Sequence, residues 1–143
     1  MDHNEEPLRI SGVGEAMAAA FGIRDRFRRA HGAALLDGDG VVLDLTVFTA
    51  KHHSIETALQ WAGCALASGA HRRPDRIILY SAVRRSVADE LREADIELLR
   101  RARARFAGAG VRVVDWLQCD GKVVRSIDLA SDGTGWHDEA SVA

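Results

Sequence analysis

Between two apolar, β-prone stretches stands the tetrapeptide Asp37-Gly38-Asp39-Gly40, and no other feature of this chain limits its folding options so sharply. Glycine and aspartate tolerate the positive φ that a tight reversal needs. A doubled Asp-Gly flanked by residues 33–36 and by the Val-, Leu- and Thr-rich 41–48 therefore predicts an antiparallel hairpin. Downstream, Ile55, Leu59, Ala62 and Leu66 recur at the 4-3-4 spacing of a buried helix face, opened by His53-Ser54 and closed near Gly69. Residues 76–80, with Ile77, Ile78, Leu79 and Tyr80, form a short apolar run bounded by turn signals, which fits a strand buried on both faces.

A long helical region is expected from about Ser86, with Leu91, Ala94, Leu98, Ala102 and Phe106 on its buried face and Gly108 and Gly110 as its stop. Residues 111–117 and 123–127 read as a second strand pair joined at Asp120-Gly121. Near the N-terminus, Ser11 can cap a short helix through Phe21, stopped by Gly22. The order is helix, hairpin, helix, strand, long helix, hairpin, with no internal repeat. It predicts an α/β fold, a mixed β-sheet with helices packed against it. The divisions expected are an N-terminal helical segment at 1–23, the α/β domain at 24–129 and a flexible C-terminal tail at 130–143.

A length of 143 residues suits one domain, and 47% apolar content with only 2 prolines supports a packed core. No apolar stretch approaches the roughly 20 residues that cross a bilayer, and the first residues are acidic where a signal peptide is basic, so no membrane association and a cytoplasmic location are expected. The formal net charge of -2 argues against general nucleic-acid binding. Arginines nevertheless concentrate at 24–29, 72–76, 84–85 and 100–105, and Lys51 and Lys122 are the only lysines. Cys64 and Cys119 lie far apart with no Cys-x-x-Cys spacing and read as core residues; no phosphate loop of the Gly-x-x-x-x-Gly-Lys type occurs.

Over residues 24–128 the order and several motifs resemble the JAB (MPN) domain of RadC-like proteins. The similar pieces are residues 27–36 with Asp37 and Val41-Val42, the helix end at 65–70, the strand Ile77-Ile78-Leu79, the helix start Asp95-Ile96-Glu97-Leu98 with Arg100-Arg101, and the closing run 110–117 with Asp120-Gly121 and Ser126. The resemblance implies a cytidine-deaminase-like arrangement of sheet and helices. It also implies, in active members, a zinc site built from a His-x-His-Pro motif after the strand, an aspartate about a dozen residues later, and a glutamate base from the early hairpin. Here Ser81 and Val83 stand at the histidine positions, Asp95 meets the aspartate position after a one-residue shift, and the glutamate position falls near Asp44 or Leu45. Valine has no lone pair and a serine hydroxyl is a poor zinc ligand, so the motif is degenerate and neither a metal nor another cofactor is expected.

His52 and His53, with Asp89 or Asp95, make the alternative metal set, but adjacent residues point in different directions and a surface loop before Ile55 is the plainer reading. Arg100 and Arg101 open a run that could track phosphates, against the commoner solvated helix face offset by Glu97. Trp136, a large aromatic in a polar tail, suggests docking on its own domain or on a partner. The leading expectation is a non-catalytic JAB-like module for protein binding, scaffolding or self-association. The alternatives are a hydrolase with a rearranged metal site and an RNA- or ribosome-associated module similar to the third domain of the eukaryotic-type release factor.

Overall fold

The computed structural model describes residues 8–51, 53–69, 74–87, 91–131, 133, 135 and 136. The hairpin forms where the Asp-Gly pairs stand. β1 (Ala30–Leu36) returns as β2 (Val42–Thr49), and the Asp37 carboxylate accepts the N–H groups of Asp39 at 2.8 Å and Val41 at 3.0 Å. Gly40 takes φ +83°, and its carbonyl accepts the Ile10 N–H at 2.8 Å; a Cβ there would come within 2.8 Å of the Ile10 oxygen, so glycine answers both conformation and approach.

β1 also pairs antiparallel with β3 (Arg76–Ala82); β3 runs parallel to β4 (Arg112–Cys119), and β4 pairs antiparallel with β5 (Val124–Ser126). The result is a mixed five-stranded sheet in the order β2-β1-β3-β4-β5 within a single α/β domain. The connections β2 to β3 and β3 to β4 both step the same way across the sheet. Right-handed crossovers then place both helices on one face: α2 (Ile55–Ser68) and α3 (Glu93–Ala107) share one apolar cluster with Ala33, Leu35, Ile77, Leu79, Val113 and Trp116. α1 (Val13–Arg26) covers the opposite face, where Ala16, Ala20 and Ile23 meet Ala34, Ile78, Tyr80 and Leu117. A four-residue helix, α4 (Ile127–Ala130), follows β5 with Ser126 as its cap. These are the four helices among the described residues.

Local signals account for α2. Ser54 accepts the Glu56 N–H, Thr57 answers with its hydroxyl, and Gly69 ends the helix in the left-handed region at φ +65°. Three expectations are corrected. α1 passes through Gly22 to Arg26, because burial of Ala20 and Ile23 outweighs the roughly 1 kcal/mol that a helical glycine costs. α3 starts at Glu93 and buries Leu99, Ala102 and Phe106 while Leu98 is half-buried and Ala94 exposed, a face turned by one residue from the expected one. Cys64 is exposed; only Cys119 is buried. No helix among the described residues is long and apolar enough to cross a membrane.

Candidate functional site

The polar chemistry of this sheet gathers at the C-terminal end of β3. Register makes it: His31 on β1 lies directly opposite Ser81 on β3, and Ser81 lies beside Gln118 on β4. Ser81 is buried, and its hydroxyl oxygen accepts the Trp116 indole N–H at 2.8 Å and lies 2.7 Å from His31 Nδ1. The indole N–H takes one of the two lone pairs of the Ser81 oxygen, and the hydroxyl meets His31 Nδ1 as donor or acceptor according to the imidazole tautomer. Burial, reinforced by the Arg29 charge, holds the His31 pKa below the ordinary histidine value.

One turn of α3 adds the second part. Asp95 accepts from Gln118 Nε2 at 2.9 Å and from Arg85 at 3.3 Å, so its carboxylate ties α3 to β4 and to the segment after β3. Val83 gives its N–H to the Cys119 carbonyl at 2.9 Å, and its own carbonyl accepts from Arg24 Nε at 3.3 Å. Beside these groups opens a cavity of about 360 Å³, lined by Arg29, His31, Ala50, Arg84 and Arg85 together with Ala82 and Val83. Ser81 and His31 have the reach of a nucleophile and its base. At 3% exposure, however, the hydroxyl lies outside the cavity wall, and its service is to orient the imidazole.

Ser81, Val83 and Asp95 thus gather at one end of the sheet, bound into hydrogen bonds. His53 is exposed before α2 with its ring tilted on Phe48 at 5.4 Å, and no hydrogen bond or ion pair joins it to Asp95. His52 and Asp89 lie outside the described residues. Among the described residues no three histidine, cysteine, aspartate or glutamate side chains are grouped to hold a metal. Asp44 is half-buried on the edge strand β2, and Leu45 is exposed there. Arg100 and Arg101 are exposed on α3, and Glu97 pairs with Arg100, three residues on.

A second polar cluster, unforeseen as a unit, lies where β4, α4 and the tail meet. Asp115 is fully buried and receives four donors: the N–H groups of Trp116 at 2.6 Å and Asp128 at 2.9 Å on Oδ1, and the Ser126 hydroxyl and the Trp136 indole on Oδ2, the latter at 2.7 Å. Burial pushes its carboxyl above the ordinary aspartate range while the donors oppose that rise. Asp128, equally buried, accepts from Arg103 at 2.6 Å and from the Gly135 N–H at 2.9 Å; Arg103 also caps the carbonyls of Val113 at 2.9 Å and Val114 at 2.6 Å. Gly135 presses so close that a Cβ would lie 1.9 Å from the Val114 oxygen. Of the two dockings open to Trp136, on its own domain or on a partner, the structure has the first: it is half-buried and packed on its own sheet, because the Asp115 carboxylate supplies the acceptor its indole needs. Arg103 was hidden in an arginine run; its place one turn after Leu99 and before Phe106 was the available signal.

Compared with known proteins, the chain matches no family model, and no curated protein matches it in sequence.

Proposed function

We propose that this chain is a non-catalytic, JAB-like binding module of the RadC type, acting through a protein partner, as a scaffold or by self-association. One observation carries the reading: the two side chains at the resemblance's ligand positions that could donate a lone pair are already engaged by protein groups. Ser81 is held between the Trp116 indole and His31, and Asp95 between Arg85 and Gln118, while Val83 offers no donor atom. A metal ion would have to displace Trp116, His31, Arg85 and Gln118 from these bonds, and breaking a buried polar network is costly. The hairpin, crossover helix, strand, crossover helix and closing strand pair follow the order the resemblance requires.

Elemental analysis of protein purified without chelator is expected to give zinc far below one equivalent per chain. Near-equimolar zinc retained through dialysis overturns the non-catalytic reading. Sedimentation velocity over a wide concentration range tests self-association, and a monomer at every concentration removes that mode.

A further inference from the structure

Among the described residues, the charged side chains that line the cavity at the end of β3 are all arginines, in a chain of net charge -2. Arg29 enters from the residue before β1, and Arg84 and Arg85 from the two residues after Val83. Their backbones are fixed: the Arg29 carbonyl accepts the Ala50 N–H at 3.1 Å, and Val83 is pinned on both sides by Cys119 and Arg24. Arg29 and Arg84 have no ion-pair partner among the described residues, whereas Arg85 is steered by Asp95. Ala50 and Ala82 leave the space that larger side chains would fill. The imidazole of His31, joined through Nδ1 to the Ser81 hydroxyl, lines the same cavity.

We propose that this cavity binds the phosphate group of a small phosphate monoester, gripped by the guanidinium groups of Arg29, Arg84 and Arg85 beside the imidazole of His31. Guanidinium matches phosphate oxygens with paired, charge-assisted hydrogen bonds, and converging cations in a concave site strengthen the field each anion meets. A volume of about 360 Å³ exceeds what a phosphate ion needs and falls in the range of small-molecule sites, roughly 300 to 1,000 Å³, so an attached organic group is accommodated. The site lies outside the carboxyl end of β3, where open α/β sheets receive ligands. The proposal goes beyond the binding-module reading and does not depend on it, since neither zinc content nor oligomeric state bears on phosphate affinity.

Isothermal titration of the full chain with AMP, adenosine, inorganic phosphate and a 5′-phosphorylated oligonucleotide tests it. AMP is expected to bind more tightly than inorganic phosphate, and adenosine not at all. Arg29→Ala and Arg84→Ala should each weaken AMP by about tenfold or more. Arg101→Ala, an equal charge change on the exposed face of α3, should leave binding unchanged, and thermal melts confirm that each variant folds. His31→Phe should weaken AMP while retaining a ring in the cavity wall. Absence of AMP binding into the millimolar range, equal binding of adenosine, an equal loss in Arg101→Ala, or binding confined to the oligonucleotide overturns the proposal.

Discussion

Replacing Asp115 by asparagine tests whether one carboxylate fastens the last third of this fold. Asparagine keeps the shape but has one acceptor oxygen. If that oxygen retains the backbone N–H groups of Trp116 and Asp128, the new NH2 faces the Ser126 hydroxyl and the Trp136 indole. The hydroxyl can turn and accept; the indole cannot, and is left without a partner. An unpaired donor of this kind costs about 1 to 3 kcal/mol, the lower end applying where water reaches the half-buried ring. For a chain of this length that is a fall of roughly 4 to 10 °C in Tm. Trp136→Phe removes the same N–H from the other side and should cost about 1 to 2 kcal/mol. The diagnostic quantity is the coupling: made in the Asp115→Asn background, Trp136→Phe should cost almost nothing further, a coupling of about 1 to 2 kcal/mol in a double-mutant cycle read by urea denaturation. Strictly additive costs would refute the indole–carboxylate bond as the fastening, and a Trp136→Phe variant as stable as the parent would refute the docking of the tail.

Leu79 sits fully buried in β3 at the centre of the sheet, so Leu79→Ala should destabilise by about 2 to 5 kcal/mol in denaturant melts, and a loss well under about 1 kcal/mol would contradict its central place. His31 supplies a pH signature: burial first, then Arg29, depresses its folded-state pKa, so the unfolded chain takes up the proton first as pH falls. Its contribution is fully present above about pH 6.5 and is lost as pH drops from there toward the folded-state pKa; His31→Phe should flatten the stability difference between pH 7.5 and 5.5, and an unchanged slope counts against the assignment.

Local chemistry in the sequence was sufficient for most elements. The Asp-Gly pairs dictated the hairpin, Ser54 and Gly69 bounded α2, and the short apolar run at 77–80 marked the central strand, because each depends on neighbours a few residues away. Periodicity was a weaker guide to α3, where the alanines at 94 and 102 pattern alike and only packing against Val113 and Trp116 turned Leu99 inward. The end of α1 was likewise a tertiary matter, settled by what Ala20 and Ile23 bury beyond Gly22. The resemblance singled out Ser81, Val83 and Asp95 in advance, but their partners were not visible in any local pattern. His31 meets Ser81 across 50 residues because the register of β1 against β3 aligns them, and Trp136 meets Asp115 across 21 because a buried carboxylate and an indole N–H each needed the other. Sheet register and the satisfaction of buried polar groups are properties of the folded whole, and they alone decided which side chains of this chain form a site.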